Sequence, residues 1–293
     1  MKNKILNTGS YGEVLWDLLP QGKKIGGAPL NVALRMASLG AKSKMISAVG
    51  DDENGRQILT YAAENEVGIE GIQLNDWDTG VVNVVLDAKG AAEYTIAYPV
   101  AWDKIAMNAT AQSIVEAADV FIFGSLACRD EVSRTTLHGL LGLARYKVFD
   151  VNLRKPHCEL QVLKPLLQSA DFIKMNDDEL YEICRKLGSP FNSLDQNLKF
   201  LKTWSRAKTI CATLGEHGAV LYHEDQLFYH GGYKTQVKDT VGAGDSFLAT
   251  LLIYILQGKN PQEALDNTCA MGAMVASHDG ANPQITQQQL QDF

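Results

Sequence analysis

The densest chemistry in the sequence sits in Asp239-Thr240-Val241-Gly242-Ala243-Gly244-Asp245-Ser246-Phe247, with the apolar stretch Leu248 to Leu256 directly behind it. Gly242 and Gly244 bracket Ala243 and let the backbone turn tightly with its N–H groups exposed. The helix that follows adds four unsatisfied donors and the positive end of a dipole. Such a turn is an anion site of a size suited to phosphate. An aspartate in a first helical turn often only caps the helix. Planted inside an anion-binding turn, Asp245 has a further use. With a phosphoryl group on the N–H groups, its carboxylate lies where it can orient an incoming hydroxyl and accept its proton. At a helix N-terminus it is expected to have a lowered pKa and to be ionised at pH 7. Gly-Ala-Gly alone is a common helix entry, but Asp-Thr-x-Gly-Ala-Gly-Asp would arise by chance at roughly one start position in ten million or fewer. Neither a Walker sequence nor a dinucleotide fingerprint accompanies it.

The elements that must hold this turn are legible as a rhythm. Apolar runs recur at Lys4 to Leu6, Lys44 to Val49, Val120 to Phe123, Lys147 to Val151, Phe172 to Met175, Thr209 to Thr213 and Ala219 to Tyr222. Helical spacing fills Leu30 to Leu39, Gly55 to Asn65, Glu131 to Ala144, Leu160 to Leu167 and Asp178 to Leu187, and the C-terminal third adds Asp245 to Leu256 and Pro261 to Ser277. Strands alternating with helices predict an α/β fold, a mostly parallel sheet with helices on both faces. One stretch departs from this. Val81 to Leu86 and the alternating Ala92 to Tyr98 flank Asp87-Ala88-Lys89-Gly90, a hairpin signature with one face buried. Such an insertion serves as a surface ribbon, a subunit interface or a cover over a site, and its residues alone do not choose among them.

Composition bounds the partners. Of 293 residues 46% are hydrophobic and 21% charged, which gives a globular chain with a large core, of a length compatible with one domain or two. Lys and Arg number 27 against 34 Asp and Glu, a net charge of −7, which argues against a nucleic-acid partner. No apolar stretch of signal-peptide length follows the charged opening, and the longest strongly apolar run, Phe247 to Leu256, falls far short of the roughly 20 residues of a spanning helix. Cys128, Cys158, Cys184, Cys211 and Cys269 are odd in number and scattered. His157-Cys158 reads either as a ligand pair or as ordinary packing, the latter because adjacent side chains seldom share a site. The expectation is a reduced, cytoplasmic protein without a membrane partner.

With these residues in hand, the turn and its aspartate resemble the C-terminal signature of the ribokinase-type (PfkB) family of carbohydrate kinases. Gly26-Gly27-Ala28-Pro29-Leu30-Asn31-Val32-Ala33, with Gly40 and Gly50 beyond, resembles the family's N-terminal motif. Gly12-Glu13-Val14-Leu15-Trp16-Asp17, Val100-Ala101-Trp102-Asp103 and Phe149-Asp150-Val151-Asn152-Leu153-Arg154 are similar to the fructokinase branch, and the likeness runs from Gly9 to about Gln284. The resemblance implies a single ribokinase-like α/β domain over 1–293 with a β-lid from segments 10–25 and 76–103, the hairpin doubling as a homodimer interface. It implies Asp17, Gly26, Gly27, Asn31, Asp103, Asn152 and Arg154 at the sugar, although Arg154 by itself also reads as an ordinary surface arginine. On the nucleotide side it implies Asn176, Thr213, Gly215, Gly218, Gly242, Gly244, Asn267 and Ala270. Asn176 and Glu179 belong to an element tied to Mg2+, although acids at a helix start also read as caps. Asp239, Val241 and Gly280 match a monovalent-cation loop, hence K+.

Two departures stand out. Thr250 occupies a position where the family usually has Ala or Gly, which predicts altered helix packing. The segment between Asp17 and Gly26 is shorter than in typical fructokinases. The resulting expectation is an ATP- and Mg2+-dependent kinase of a free hexose, fructose above all. In it Gly242, Ala243 and Gly244 form the anion hole and Asp245 is the base. Alternatives are a kinase of ribose, a ketodeoxy sugar acid or adenosine, and a non-catalytic sugar or nucleotide sensor on the same fold.

Overall fold

The structure, a computed structural model, describes residues 4–19, 22–86, 92–157 and 159–293. Among them the strands are β1 (Asn7–Tyr11), β2 (Leu15–Leu19), β3 (Gly22–Gly26), β4 (Lys42–Gly50), β5 (Gly68–Asn75), β6 (Gly80–Leu86), β7 (Ala92–Ile96), β8 (Val120–Gly124), β9 (Lys147–Asp150), β10 (Phe172–Asn176), β11 (Thr209–Thr213), β12 (Ala219–His223) and β13 (Gln226–His230). The helices are α1 (Ala28–Ser38), α2 (Glu53–Glu64), α3 (Ala109–Ala117), α4 (Glu131–Leu141), α5 (Leu160–Ser169), α6 (Asp177–Lys186), α7 (Leu194–Trp204), α8 (Ala243–Leu256), α9 (Pro261–Ala276) and α10 (Gln287–Asp292).

Among the described residues, nine strands make the main sheet in the order β13-β12-β11-β10-β9-β8-β1-β4-β5. It is parallel throughout except where β12 pairs antiparallel with β11 and β13. Alternation along β8 explains its two covered faces. Val120 and Ile122 pack with Val32 and Met36 of α1, Phe247 and Leu251 of α8 and Leu265 of α9. Phe121 and Phe123 point the other way, into a core with Leu137 of α4, Leu163 of α5, Ile183 of α6 and Leu198 of α7. Phe123 stacks on Phe149 of β9 with ring centroids 5.3 Å apart. The expected strand at Lys4 to Leu6 lies instead at Asn7–Tyr11. β1 is central, and covering both its faces favours small buried Thr8 and Ser10 over a branched apolar run.

The chain builds outward from β1 in both directions, to β4 and β5 on one side and to β8 through β11 on the other. Open α/β sheets bind ligands in the crevice outside the strand carboxyl ends at such a reversal. Gly12-Glu13 follow β1, Val151 to Arg154 follow β9, and Asn176 ends β10. Over that crevice stands a second sheet of four strands, β3-β2-β6-β7. β2 is antiparallel to β3 and parallel to β6, and β6 is antiparallel to β7, as the hairpin signature predicts. The expected turn Asp87 to Gly90 lies outside the described residues. The second sheet spans less than 10–25 and 76–103, because Tyr11 is buried in the main sheet and Trp102 and Asp103 in the core beneath. Within the short segment from Asp17 to Gly26, the described residues belong to the β2–β3 pair, with Asp17 opposite Lys24. Cys128, Cys184, Cys211 and Cys269 are buried free thiols, whereas Cys158 of the His157-Cys158 pair is outside the described residues. No helix among the described residues is long and apolar enough to cross a membrane.

Candidate active site

Between the two sheets lies a cavity of about 1120 Å³, lined by Leu15, Trp16, Asp17, Lys24 and Ile25 from the second sheet and by the turn Asp239–Asp245 opposite. Its floor is built around α8. Gly242 sits before the helix with φ 76, in the left-handed region, and a Cβ there would come within 2.5 Å of the Ala281 backbone. Only glycine accommodates both demands. Asp245 follows in the first turn. Its Oδ2 accepts a hydrogen bond from Asn31 Nδ2 at 2.8 Å, and Asn31 Oδ1 accepts one from Asn282 Nδ2 at 2.8 Å.

Asn31 is held in place by α1, which starts after Gly27 (φ 106), where any Cβ would strike the Glu13 carbonyl. Buried Arg35, one turn on, donates from Nε to Ser246 Oγ at 3.0 Å and from Nη2 to the Pro283 carbonyl at 3.0 Å. It thereby fastens α1 to α8 and to the C-terminal loop. Burial lowers its pKa to about 10, so it stays charged at neutral pH. Thr250, the departure within α8, is buried and donates back to the Ser246 carbonyl at 2.8 Å, which satisfies the hydroxyl inside the helix.

The electrostatics correct one expectation. The pKa of Asp245 is raised, not lowered, to about 6. Burial is the largest cause and the Asp150 carboxylate adds to it, while Lys174, the Asn31 hydrogen bond and Arg154 pull back. Desolvation of a carboxylate on a pocket floor outweighs one helix end. A value near 6 still leaves Asp245 about tenfold in favour of carboxylate at pH 7. Lys174 of β10 lies directly beneath the turn. Its Nζ would be 3.2 Å from a Cβ on Gly244, and it pairs with Asp150 Oδ1 at 3.1 Å. Burial works against the Lys174 charge, but the carboxylates of Asp150, Asp245 and Glu179 outweigh it and raise the pKa. A permanent ammonium thus backs the anion turn.

Most of the residues singled out from sequence converge here. Asp17, Gly26, Gly27, Asn31, Asn152, Arg154, Asn176, Glu179, Thr213, Asp239, Val241, Gly242, Gly244, Asp245 and Gly280 all line the cavity, and Ala243 is the first residue of α8. Asn152 holds φ 37, a left-handed conformation uncommon outside glycine. Burial raises the pKa of Asp17, against the pull of Arg154 and Lys24. Glu179 closes a capping box with Asn176 and also accepts from Leu153 N at 2.7 Å, so each carboxylate oxygen already takes a backbone N–H. Asp239 accepts from Val241 N at 3.0 Å and Gly280 N at 3.1 Å, and Lys24 Nζ lies 3.3 Å from its Oδ2. Burial would raise its pKa, but these partners hold it below the usual carboxylate range.

Other residues lie elsewhere. Asp103 is not on the cavity wall. It is wholly buried in a two-bond pair with Arg129, Oδ1 to Nε at 2.7 Å and Oδ2 to Nη2 at 2.8 Å, and accepts from Val100 N as well. Both oxygens are thus committed to shaping the chain after β7. Gly215 and Gly218 bracket a short 3-10 turn after β11, outside the lining. Asn267 donates to the Glu263 carbonyl of its own helix, and Ala270 packs with Ile285 and Leu290. Sequence reasoning missed Glu13, Asp150, Lys174, Asn282 and Arg35. Lys174 left a signal, a lysine inside the apolar run Phe172 to Met175 of a central strand; Asn282 stands in the motif Gly280 to Pro283 without its contact to Asn31 being legible, and Arg35 left none, since its role appears only when α1, α8 and the C-terminal loop meet.

A model of the pfkB family carbohydrate kinases matches residues 10–288. Fructokinase-2 of Solanum lycopersicum is 30% identical, over 94% of this chain and 92% of its own. An uncharacterized sugar kinase from Pyrococcus horikoshii, solved in complex with ATP, is 27% identical and superimposes with a TM-score of 0.80, covering 98% of this chain and 97% of that one. A fructokinase from Vibrio cholerae O395, a double mutant solved with fructose, ADP and potassium ion, has a TM-score of 0.85 at 21% identity, over 100% of this chain and 99% of that one.

Proposed function

The chain belongs to the pfkB family of carbohydrate kinases, and from that premise we propose that it transfers the γ-phosphoryl group of ATP to a primary hydroxyl of a free hexose, with fructose, giving fructose 6-phosphate, as the preferred acceptor. The observation that carries the proposal is the meeting of Asp245, the Gly242–Gly244 turn and Lys174 on one cavity floor. The fructokinase relative and the neighbour solved with fructose support the choice of acceptor, and the neighbour solved with ATP supports the donor.

The chemistry follows from the side chains. The sugar lies under the second sheet, where Asp17 accepts hydroxyl hydrogen bonds and Asn152 and Arg154 face it from the end of β9. Asp245, held by Asn31, orients the attacking hydroxyl and takes its proton late, as suits a loose transition state. The N–H groups of the turn and the α8 dipole receive the negative charge of the transferring group, with the Lys174 ammonium behind them. The chain fits Mg2+ that arrives with the nucleotide. Glu179 has both oxygens on backbone N–H groups, and no group of three or more His, Cys, Asp or Glu among the described residues is arranged to hold a metal. Asn176 and Glu179 would hold the ion indirectly, and it would supply charge neutralisation between the phosphates. Asp239, Val241 and Gly280 would hold K+, beside the Lys24 ammonium that already pairs with the Asp239 carboxylate. Two chains pair through the second sheet, and light scattering at twice the chain mass is the expected result.

A coupled ADP-release assay on fructose, ribose, a ketodeoxy sugar acid and adenosine, with Mg2+ present and K+ varied, tests the proposal. The expected result is the highest kcat/KM with fructose. A higher value with another acceptor reassigns the substrate, and no acceptor-dependent ADP release at all removes the function.

A further inference from the structure

Glu13 follows β1 at the bottom of the crevice, 3% exposed, and its Oε2 has no hydrogen-bond partner. Asp150, at the end of β9, is 4% exposed; its Oδ1 is bound by Lys174 and its Oδ2 has no partner. Both residues line a second cavity of about 10 Å³ under the start of α1, walled otherwise by Ala28, Pro29, Val32, the end of β8 with Ser125 and Leu126 after it, and Asn152. That is the space of one water. A buried carboxyl with an orphaned oxygen, set beside a second carboxylate at such a space, is favoured in its neutral form, and Glu13 has no cation bound to it as Asp150 has Lys174.

We propose that Glu13 carries a proton at this cavity beside the Asp150–Lys174 pair, so that Asp245 is the free carboxylate next to the turn. Glu13 is then a positioning residue. It keeps the negative charge of the cavity floor low enough for the phosphates of a nucleotide to approach the turn. The groups facing it are Arg154 after β9, Asp150 of β9, Asp245 of α8 and Cys128 of the 3-10 turn after β8, with Lys174 of β10 behind Asp150. With Glu179 beside Lys174, four carboxylates against two cations crowd a buried site with negative charge, and a proton on Glu13 lowers that excess. Burial, the largest cause, raises the Glu13 pKa to about 7, with Arg154 pulling down and Asp245 and Asp150 pushing up. Cys128 is itself pushed up to about 12 by burial and stays a thiol.

The inference rests on the kinase reading for its activity test but not for its stability test, so the two fail separately. The variant is Glu13→Gln, which keeps the shape of a neutral carboxyl. A group whose folded pKa lies above its unfolded value gives stability that is full below the unfolded pKa and lost as pH rises to the folded one. Melting temperatures of wild type and Glu13→Gln, without substrate, are therefore expected to separate between about pH 4.5 and about pH 7, the variant gaining, and to run parallel above. In the pH profile of kcat/KM, the wild type is expected to fall about tenfold from its plateau by about pH 8 and the variant less than about twofold. Parallel melting curves across the whole range, a variant that does not fold, or equal alkaline limbs overturn the proposal.

Discussion

Asp245→Asn removes the carboxylate of the turn while leaving its shape. Asn Oδ1 can still accept from Asn31 Nδ2, at 2.8 Å in the native chain, so α1 and α8 should remain joined. Loss of a general base costs about 10²- to 10⁴-fold in kcat, or about 3–5 kcal/mol at 1.36 kcal/mol per factor of ten. Stability should move the other way. Raising a carboxyl from 3.8 to about 6 on folding corresponds to about 3 kcal/mol at pH 7, and the carboxyl's remaining contact with the open cavity reduces the expected gain to about 1–2 kcal/mol. Because the folded pKa is the higher one, the gain vanishes below the unfolded value of 3.8 and is complete above about pH 6. The same carboxyl predicts that wild-type kcat/KM rises with pH up to about 6. Steady-state kinetics with urea unfolding at pH 4 and pH 7.5 test all of this. An Asn variant within about threefold of wild-type kcat would refute the assignment of Asp245 as base.

Further outcomes follow from the buried charges and the closing contact. Lys174→Met strands Asp150 and is expected to cost about 3–5 kcal/mol by urea unfolding, with more than half recovered on adding Asp150→Asn; kcat should stay low in both, and recovery of kcat in the double variant would remove the phosphate role of Lys174. Asp103→Ala leaves the Arg129 guanidinium buried and should lower stability by a similar ~3–5 kcal/mol, while the folded fraction keeps its sugar KM within about threefold; a KM raised tenfold or more would put Asp103 at the sugar after all. Lys24→Met breaks a half-exposed ion pair between the second sheet and the turn, worth ~0.2–1 kcal/mol. Sugar KM is therefore expected to rise up to about fivefold at low salt, and by less at 1 M NaCl. An effect that does not depend on salt would argue against an electrostatic contact.

The parts of the site carried by contiguous residues were legible before any coordinates. The turn around Asp245, the Gly26 to Asn31 entry into α1 and the hairpin of β6 and β7 each carry local backbone demands that residue type announces. β2, β3, β5 and β13 are too short or too mixed in pattern to declare themselves. α3 carries little of a helical stripe, although α7 does show the spacing Leu194, Asn197, Leu198, Leu201. β1 was misplaced because a central strand under two layers is built from small polar residues. The direction of the Asp245 pKa shift could not be read from the helix start alone, since it depends on burial in the folded chain and on the charge of Asp150, which is distant in sequence. Asp103 shows the opposite limit. Its motif matched, but the partner that consumes it, Arg129, lies 26 residues away on the far side of α3 and β8.

The central claim is that this chain makes a sugar phosphate. Phosphorus NMR of the wild-type reaction with ATP, Mg2+ and fructose tests it most directly. The expected spectrum gains one phosphomonoester, coupled to the C6 protons of the sugar, in equal amount to the ADP formed. ADP appearing with inorganic phosphate and no sugar ester, or an ester on a secondary hydroxyl, would contradict it.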